Sequence, residues 1–356
     1  MGEAPPVQDH LLITYARPLA QWLVDDIQAK FPDAELSLVQ LPNFAPIPSV
    51  IARKATLLAT FSNLPAPEDA TQIKIIHVFS AGLDHLLSHP IVTSTSIPLT
   101  SSSGIHGPPI AEWTIMNWLV ASRRFLYTHA NQQRHAWEKE EGFMESLHDQ
   151  VGKTVGILGY GSIGRQIGRV SSALGMTIHA YTASPRPTPL SRHDTGYIVP
   201  GTGDPDGTIP TTWHHGTTKA SIHSFLSLGL DHLVIALPLT PQTTRLLGAE
   251  EFALLGQGGR KPYMTNISRG KVVDQEALIE ALESGVLGGA ALDVADPEPL
   301  PAESRLWGAR NVTISPHVSS AGREYLGRSL DILRVNRERW GRGEGLVNGY
   351  KRGRGY

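Results

Sequence analysis

An arginine, a glutamate and a histidine in the second half of the sequence each stand just past a short apolar run. Arg269 follows Tyr263–Ile267, Glu298 follows Gly289–Val294 and His317 follows Asn311–Ile314. Their types suit one kind of chemistry. A planar guanidinium grips a carboxylate at two points and polarises the carbonyl beside it. An imidazole exchanges protons near neutral pH, and a neighbouring carboxylate orients the ring and favours its protonated form. Hydride addition to the ketone of a 2-keto acid needs this set: a grip on the acid, a proton for the oxygen on which charge builds, and a partner for the donor. Each residue alone has a plainer reading, Arg269 as a surface ion pair, Glu298 as a loop charge and His317 as a strand-end cap. Their shared position at the carboxyl ends of strands favours the chemical one.

A second pattern supplies the other half of such a reaction. The run Val155–Leu158 leads into Gly159-Tyr160-Gly161-Ser162-Ile163-Gly164, a G-x-G-x-x-G between a strand and a helix. Gly159 permits the tight turn, Gly161 lets backbone approach a pyrophosphate, and Gly164 lets helix and strand pack closely. The helix start offers free N–H groups and a positive dipole end to phosphates. The alternative is a purely structural turn. An acid after the next strand would bind the ribose 2′-hydroxyl of NAD. Here Thr177–Tyr181 runs into Thr182-Ala183-Ser184-Pro185-Arg186, with no acid. Two hydroxyls and a guanidinium suit a 2′-phosphate, so Thr182, Ser184 and Arg186 point to NADP(H) over NAD(H).

These groups need strands to carry them. Leu11–Tyr15, Ala55–Ala59, Ile73–Phe79 and Leu233–Leu237 join the runs already named as buried strands. Ile163, Ile167, Val170 and Leu174 form one apolar stripe on a helix. Asp274 can cap a helix that turns Leu278 and Leu282 inward, and a long helix is expected over Pro109–Gln133. Strand–helix alternation means parallel sheets covered on both faces. Residues 184–220, rich in Pro and Gly, read as a long loop with at most a short strand at Tyr197–Val199. Trp213, His214 and His215 lack a third ligand at sensible spacing, so no metal site is expected.

At 356 residues, two domains are the natural expectation. Hydrophobic residues at 40% and charged residues at 18% describe an ordinary globular core. A net charge of −2 gives no electrostatic case for nucleic acid or a membrane surface, and no apolar run approaches the roughly 18 residues of a membrane span. The N-terminus lacks the basic, apolar pattern of a secretion signal. The absence of cysteine removes thiol nucleophiles, disulfides and cysteine zinc sites, and suits a reducing, cytoplasmic setting. Residues 341–356, rich in Gly and Arg, read as a solvated tail.

The chain resembles the D-isomer-specific 2-hydroxyacid dehydrogenases, and most of all their glyoxylate/hydroxypyruvate reductase branch, over about residues 73–335. The matching motifs are Gly152-Lys153-Thr154-Val155-Gly156-Ile157 with the glycine turn, Pro238-Leu239-Thr240 followed by Thr243-Thr244, Asn266-Ile267-Ser268-Arg269-Gly270, Leu292-Asp293-Val294 with Glu298-Pro299-Leu300-Pro301, and Ser315-Pro316-His317. The resemblance implies Arg269 as ligand of the substrate carboxylate and carbonyl, Glu298 as partner of the histidine, and His317 as proton donor in reduction. It implies Asp293 against the nicotinamide carboxamide, with Leu237, Pro238, Thr244, Ile267 and Ser268 also along the cofactor. Backbone N–H groups of Ala81 and Gly82 would hold the substrate carboxylate. The implied fold is α/β, with two Rossmann-like doubly wound parallel-sheet domains. The substrate domain would be near 1–109 plus 322–356, and the inserted cofactor domain near 110–321.

The resemblance also implies a homodimer, in which Trp137 either reaches the partner's active site or packs in the dimer arm. The 184–220 segment is longer than such connections usually are, by about 20 residues; beginning beside the expected 2′-phosphate pocket, it could cover the adenosine end. Two other readings share the fold: a formate or phosphite dehydrogenase, against which Glu298 stands where formate enzymes carry glutamine, and a corepressor-like protein that senses NAD(P) without turnover.

Overall fold

The computed structural model describes residues 8–351. The chain forms two units, residues 1–105 with 322–356, and residues 106–321.

The first unit is built on five parallel strands: β1 (His10–Tyr15), β2 (Glu35–Gln40), β3 (Leu57–Thr60), β4 (Ile75–Val78) and β5 (Leu99–Ser101), in the order β2-β1-β3-β4-β5. The alternation of side chains along a strand divides its core in two. Leu12, Leu58 and Ile76 face one way, while Leu11, Ile13, Leu57 and Ile75 face the other with Leu330 and Leu333 of the final helix, Tyr325–Gly341. The polar residues in these strands are satisfied. Thr14 donates to Thr60 at 2.7 Å, and the buried His77 ring lies between Thr100 (2.9 Å) and Ser329 (3.0 Å). Burial pushes its pKa down to about 3, so the ring is neutral.

The second unit holds seven parallel strands: β6 (Thr154–Leu158), β7 (Thr177–Thr182), β8 (Thr212–His215), β9 (His232–Ile235), β10 (Tyr263–Asn266), β11 (Gly289–Leu292) and β12 (Val312–Ile314), in the order β12-β11-β10-β9-β6-β7-β8. Val155, Ile157 and Val234 enter one core, and Leu158, Leu233 and Ile235 the other. Both faces are therefore covered, as all-parallel sheets require. Chain order runs outward from β6 in one direction and from β9 in the other, so the switch point lies between them. Among the described residues, no helix is long and apolar enough to cross a membrane.

Four expectations from the sequence are corrected. The helix expected over 109–133 is two, Gly107–Ser122 and Phe125–Gln133, because Arg124 turns left-handed (φ 50°). Its guanidinium pairs with Glu140 and lies over the Tyr127 ring at 5.1 Å, which holds the break. Segment 184–220 is not one loop. It contains the helix Pro189–Arg192, the strand β8 and the start of the helix Lys219–Leu226, and Tyr197–Val199 forms no strand. Trp213 and His214 are thus strand residues on opposite faces of the sheet, Trp213 against Tyr160 (5.2 Å between rings) and His214 against Phe225 (5.3 Å). Finally, the described part of the C-terminal stretch is not a solvated tail. Tyr350 N donates to Leu99 O at 2.7 Å, and Asn348 donates to Ser101 and Ser103, so the chain returns to the edge at β5. Residues 352–356 of that stretch, and residues 1–7, lie outside the described residues.

Candidate active site

Six neighbouring strands of the second sheet set out the candidate residues in order along one edge: His317 beyond β12, Glu298 beyond β11, Arg269 beyond β10, Leu237 and Pro238 beyond β9, the glycine turn beyond β6 and Thr182 at the end of β7. Five spacings of about 4.8 Å make that edge about 24 Å long. The glycine turn stands at the switch point.

Each glycine of the turn answers to a different neighbour. Gly159 has φ 98°, and a Cβ there would lie 2.5 Å from the Ala236 carbonyl oxygen on β9's continuation. A Cβ on Gly164 would collide with the Gly159 carbonyl oxygen. Gly161 differs: its φ of −86° suits any residue, and a Cβ would meet nothing within 4 Å. The protein itself does not need that glycine. A phosphate group lying over the start of the helix Ser162–Ala173 would need it, so the cradle fits a dinucleotide.

The catalytic candidates come together through backbone contacts. A Cβ on Gly270 would overlap the Ala295 carbonyl oxygen, so only glycine lets the Arg269 loop lie against the loop beyond β11. The second of those loops carries Glu298, whose Oε1 accepts from Ala295 N at 3.1 Å. Its other oxygen, Oε2, lies 3.0 Å from His317 Nδ1. The pair is about half exposed, 46% for His317 and 38% for Glu298. Arg269 is exposed as well and donates to its neighbour, the Ser268 carbonyl, at 2.8 Å. Asn266 fixes this loop from within, accepting from Ser268 N–H and O–H and donating to Arg269 O.

His317 stands in a left-handed turn (φ 55°), a conformation uncommon outside glycine. The buried Asp293 carboxylate explains why it persists. Its Oδ1 accepts from Ser315 Oγ (2.6 Å) and Val318 N (2.8 Å), and its Oδ2 from Ser319 N (2.9 Å) and Ser319 Oγ (2.5 Å). Four donors occupy the roughly four acceptor directions of a carboxylate. The Asp293 carbonyl accepts a fifth bond, from His317 N at 2.9 Å. Within the chain, this aspartate therefore holds the turn that presents the imidazole. The sequence motif marks Asp293 but not this use of it, which depends on two strand ends lying side by side.

Other residues singled out from the sequence are arranged as follows. Thr182 donates to Ser184 O (2.8 Å) and Arg186 to Ser191 O (2.6 Å), so the guanidinium is turned into its own loop. Thr244 donates to Thr240 O in the turn after Pro238. Ile267 and Ser268, which precede Arg269, are buried. Ala81 and Gly82 belong to the first unit, just beyond β4, where Ser80 Oγ donates to Gly82 O at 2.7 Å. Trp137 is fully exposed.

The glycine turn and its helix also anchor segment 184–220, a link the sequence alone did not reveal. Buried Arg165 donates to the carbonyls of Arg192 (2.6 Å) and Asp204 (2.5 Å), Gln166 accepts from Gly203 N (2.6 Å), and Tyr160 O–H donates to Asp204 (3.1 Å). Burial, with Asp204 beside it, pushes the Tyr160 phenol well above its ordinary pKa.

Comparison with known proteins places this arrangement. A family model described as "D-isomer specific 2-hydroxyacid dehydrogenase, NAD binding domain" matches residues 115–199 and 204–319. A glyoxylate reductase of Thermofilum pendens is 30% identical over 268 residues, covering 75% of this chain and 71% of that protein. One of Korarchaeum cryptofilum is 28% identical over 288 residues, covering 79% and 78%. A D-isomer specific 2-hydroxyacid dehydrogenase of Xanthobacter autotrophicus, solved with NADPH and MES, shares the fold with a TM-score of 0.74 at 23% identity, over 98% of this chain and 100% of that one. So does an NADPH-dependent glyoxylate/hydroxypyruvate reductase of Sinorhizobium meliloti, with a TM-score of 0.70 at 24% identity and the same coverage. A nicotinamide-cofactor turn, a strand-end Arg–Glu–His set and a family match across most of the second unit agree, and the chain belongs to the D-isomer-specific 2-hydroxyacid dehydrogenases, enzymes that oxidise hydroxy acids or reduce keto acids.

Proposed function

We propose that this enzyme moves a hydride between NADP(H) and a small 2-keto acid or its D-2-hydroxy acid, with Arg269, Glu298 and His317 as working groups. The observation that carries the reading is the 3.0 Å contact between His317 Nδ1 and Glu298 Oε2, beyond the two strands that follow Arg269's strand in the sheet. NADP(H), when bound along the edge of the second sheet, supplies the hydride and its two electrons. As the keto carbon is reduced, His317 delivers a proton from Nε2 to the carbonyl oxygen, so C–H and O–H bonds replace the carbonyl π bond. Glu298 holds the ring by its other nitrogen and balances its charge before the transfer. Arg269 turns its fork to the carboxylate and to the oxygen on which charge builds. In oxidation Nε2 takes the hydroxyl proton instead.

The preference for NADP(H) is supported by the missing acid between Thr182 and Arg186 and by the hydroxyls there. Arg186 has to leave the Ser191 carbonyl to meet a 2′-phosphate. Glyoxylate and hydroxypyruvate are the acids named for several relatives, and they are the first to test. Loss of NADPH absorbance with a panel of 2-keto acids is the experiment. No turnover with any of them would refute the reading, and a higher kcat/KM for NADH would refute the cofactor preference. We further propose a homodimer, supported by the apolar side chains that the helix Phe125–Gln133 and its surroundings leave exposed (Phe125, Leu126, Trp137); a monomer by light scattering would overturn this.

A further inference from the structure

The first unit contains a cavity of about 610 Å³ that the mechanism above does not use. It lies at the carboxyl ends of β1, β3 and β4, lined there by Tyr15, Phe61 and Ser80. In the order β2-β1-β3-β4-β5 the direction of winding reverses between β1 and β3, so the cavity is at the switch point of this sheet, where open α/β sheets bind ligands. Its size falls in the range of small-molecule sites, about 300–1,000 Å³.

The lining has a definite chemistry. Trp22, Phe44 and Phe61 are left 40%, 64% and 38% exposed, which is costly for aromatic rings gathered in one hollow unless something apolar covers them. Phe61 is fixed in place, packed on Phe79 (5.1 Å between rings) and stacked on Tyr325 (6.1 Å). The lining includes no aspartate or glutamate, but it includes Arg17 and Arg323, the latter 4.4 Å over the Trp22 ring. An anion with an apolar body suits such walls. The position decides which anion. Ser80 lines the cavity, and the next two residues are Ala81 and Gly82, whose amides are the expected carboxylate grip. A step of one residue is about 3.8 Å, so a substituent on the carbon next to the carboxylate reaches the hollow at once.

We propose that this cavity receives the side chain of the 2-keto acid, and that the preferred substrates carry an aromatic or branched apolar side chain rather than the bare or hydroxymethyl groups of glyoxylate and hydroxypyruvate. The inference rests on the reading under Proposed function and changes it only at the side chain. One or two methylenes in an apolar pocket shift selectivity by about 10–200-fold each way.

The test compares kcat/KM with NADPH for glyoxylate, hydroxypyruvate, 2-oxoglutarate, ketoisocaproate and phenylpyruvate. Phenylpyruvate or ketoisocaproate is expected to exceed glyoxylate at least about tenfold. A preference for glyoxylate or hydroxypyruvate overturns the inference while leaving the dehydrogenase reading intact, and so does a preference for 2-oxoglutarate, whose second carboxylate would make the arginines the specificity element. Turnover of none refutes the dehydrogenase reading and this inference with it. Ala20→Trp, which places a ring in the cavity from its rim, is expected to cut kcat/KM for phenylpyruvate at least about tenfold and to leave glyoxylate within about threefold. Equal losses for both acids in a folded variant, judged by its melting curve, count against the assignment; if the variant does not fold, the wild-type panel decides.

Discussion

Adding one methyl group at each of two glycines separates a cofactor cradle from a structural turn. Gly161→Ala puts a Cβ into open space at a backbone angle alanine accepts. Such a change usually stabilises by about 0.4–1 kcal/mol, because the unfolded chain loses freedom. For a unit of about this size, 1 kcal/mol moves Tm by about 2–4 °C, so Tm should stay level or rise by up to about 4 °C. Gly164→Ala drives a Cβ into the Gly159 carbonyl and to 3.0 Å from Ile157 Cγ2, neither of which is the free end of a flexible side chain. Overpacking of that kind costs about 1–3 kcal/mol, a fall of roughly 2–12 °C on the same scale. The ligand response should run the other way. A saturating ligand at 100 times its Kd adds about 2.7 kcal/mol to the folded state. If the Gly161 methyl stands where the pyrophosphate must lie, NADPH loses most of that protection, and titration calorimetry should show a Kd at least about 30-fold weaker, about 2 kcal/mol. The assay is a pair of melting curves per variant, with and without NADPH. Unchanged NADPH affinity in Gly161→Ala would refute the placement of the phosphates and leave the glycine turn as packing only.

Other consequences follow from the same geometry. His317→Ala should lower kcat at least about 10²-fold with little change in the Kd for NADPH, measured by fluorescence titration. Glu298→Gln keeps an acceptor for Ala295 N–H but removes the charge beside the imidazole; a fall in kcat of about tenfold or more is expected, with KM moving less. Asp293→Asn sets an NH₂ group against donors in the His317 turn. The loss of charged hydrogen bonds, about 1.5–3 kcal/mol, should lower both Tm and kcat while NADPH affinity stays within about threefold; a selective loss of NADPH affinity would show that the side chain serves the nicotinamide instead. Both units should weaken in acid. Burial holds His77 in the first and His232 in the second at about 3, far below the unfolded value near 6.5. The unfolded chain therefore takes up protons that the folded one refuses. Stability from these rings is complete above about pH 7 and falls as pH drops from about 6.5 towards 3, by about a kcal/mol per unit and ring. Urea titrations at pH 7 and 5 check this, and equal midpoints would contradict it.

What could be read beforehand depended on whether a signal was local. Strands in the middle of the sheets announce themselves, because β6 (TVGIL) and β9 (HLVI) are buried on both faces and read as unbroken apolar runs. The strands that escaped notice are three of the four edges, β2, β5 and β8; the fourth, β12, is legible as the run Asn311–Ile314. Each of the three has one strand beside it in its sheet, so polar residues are tolerated, and ELSLVQ, LTS and TWHH carry no continuous apolar stretch. Segment 184–220 misled for a related reason. Its prolines and glycines are real loop signals, but β8 near its end is held by groups distant in sequence, Tyr160 and Arg165 from outside the segment and Arg192 from the segment's own start, all around Trp213. The C-terminal stretch is a similar case, since the pairing of Gly349 with Thr100 joins residues 249 positions apart in sequence (349 − 100).

The site shows the same division at finer scale. Types and order of the three residues proposed to do the chemistry are local facts, and so is the glycine next to Arg269. Why that residue must be glycine is not local, because the carbonyl it would strike belongs to Ala295, on the neighbouring strand's loop. Likewise Asp293 reads as one acid in a Leu-Asp-Val motif, yet its carboxylate binds donors 22 to 26 residues away. These contacts impose an order of dependence on the site. Gly270 sets how near the Arg269 loop comes to the Glu298 loop; Glu298 sets the ring of His317; Asp293 sets the backbone that carries that ring. Replacing a working group should abolish the chemistry and leave the fold, whereas replacing Gly270 or Asp293 should displace groups that are chemically intact. Gly270→Ala therefore separates the two kinds of role most sharply. With all three working side chains present, it should lose activity together with stability, since loops in direct contact have to part to admit one methyl group. Full activity in that variant would mean that the approach of these two loops does not matter for turnover.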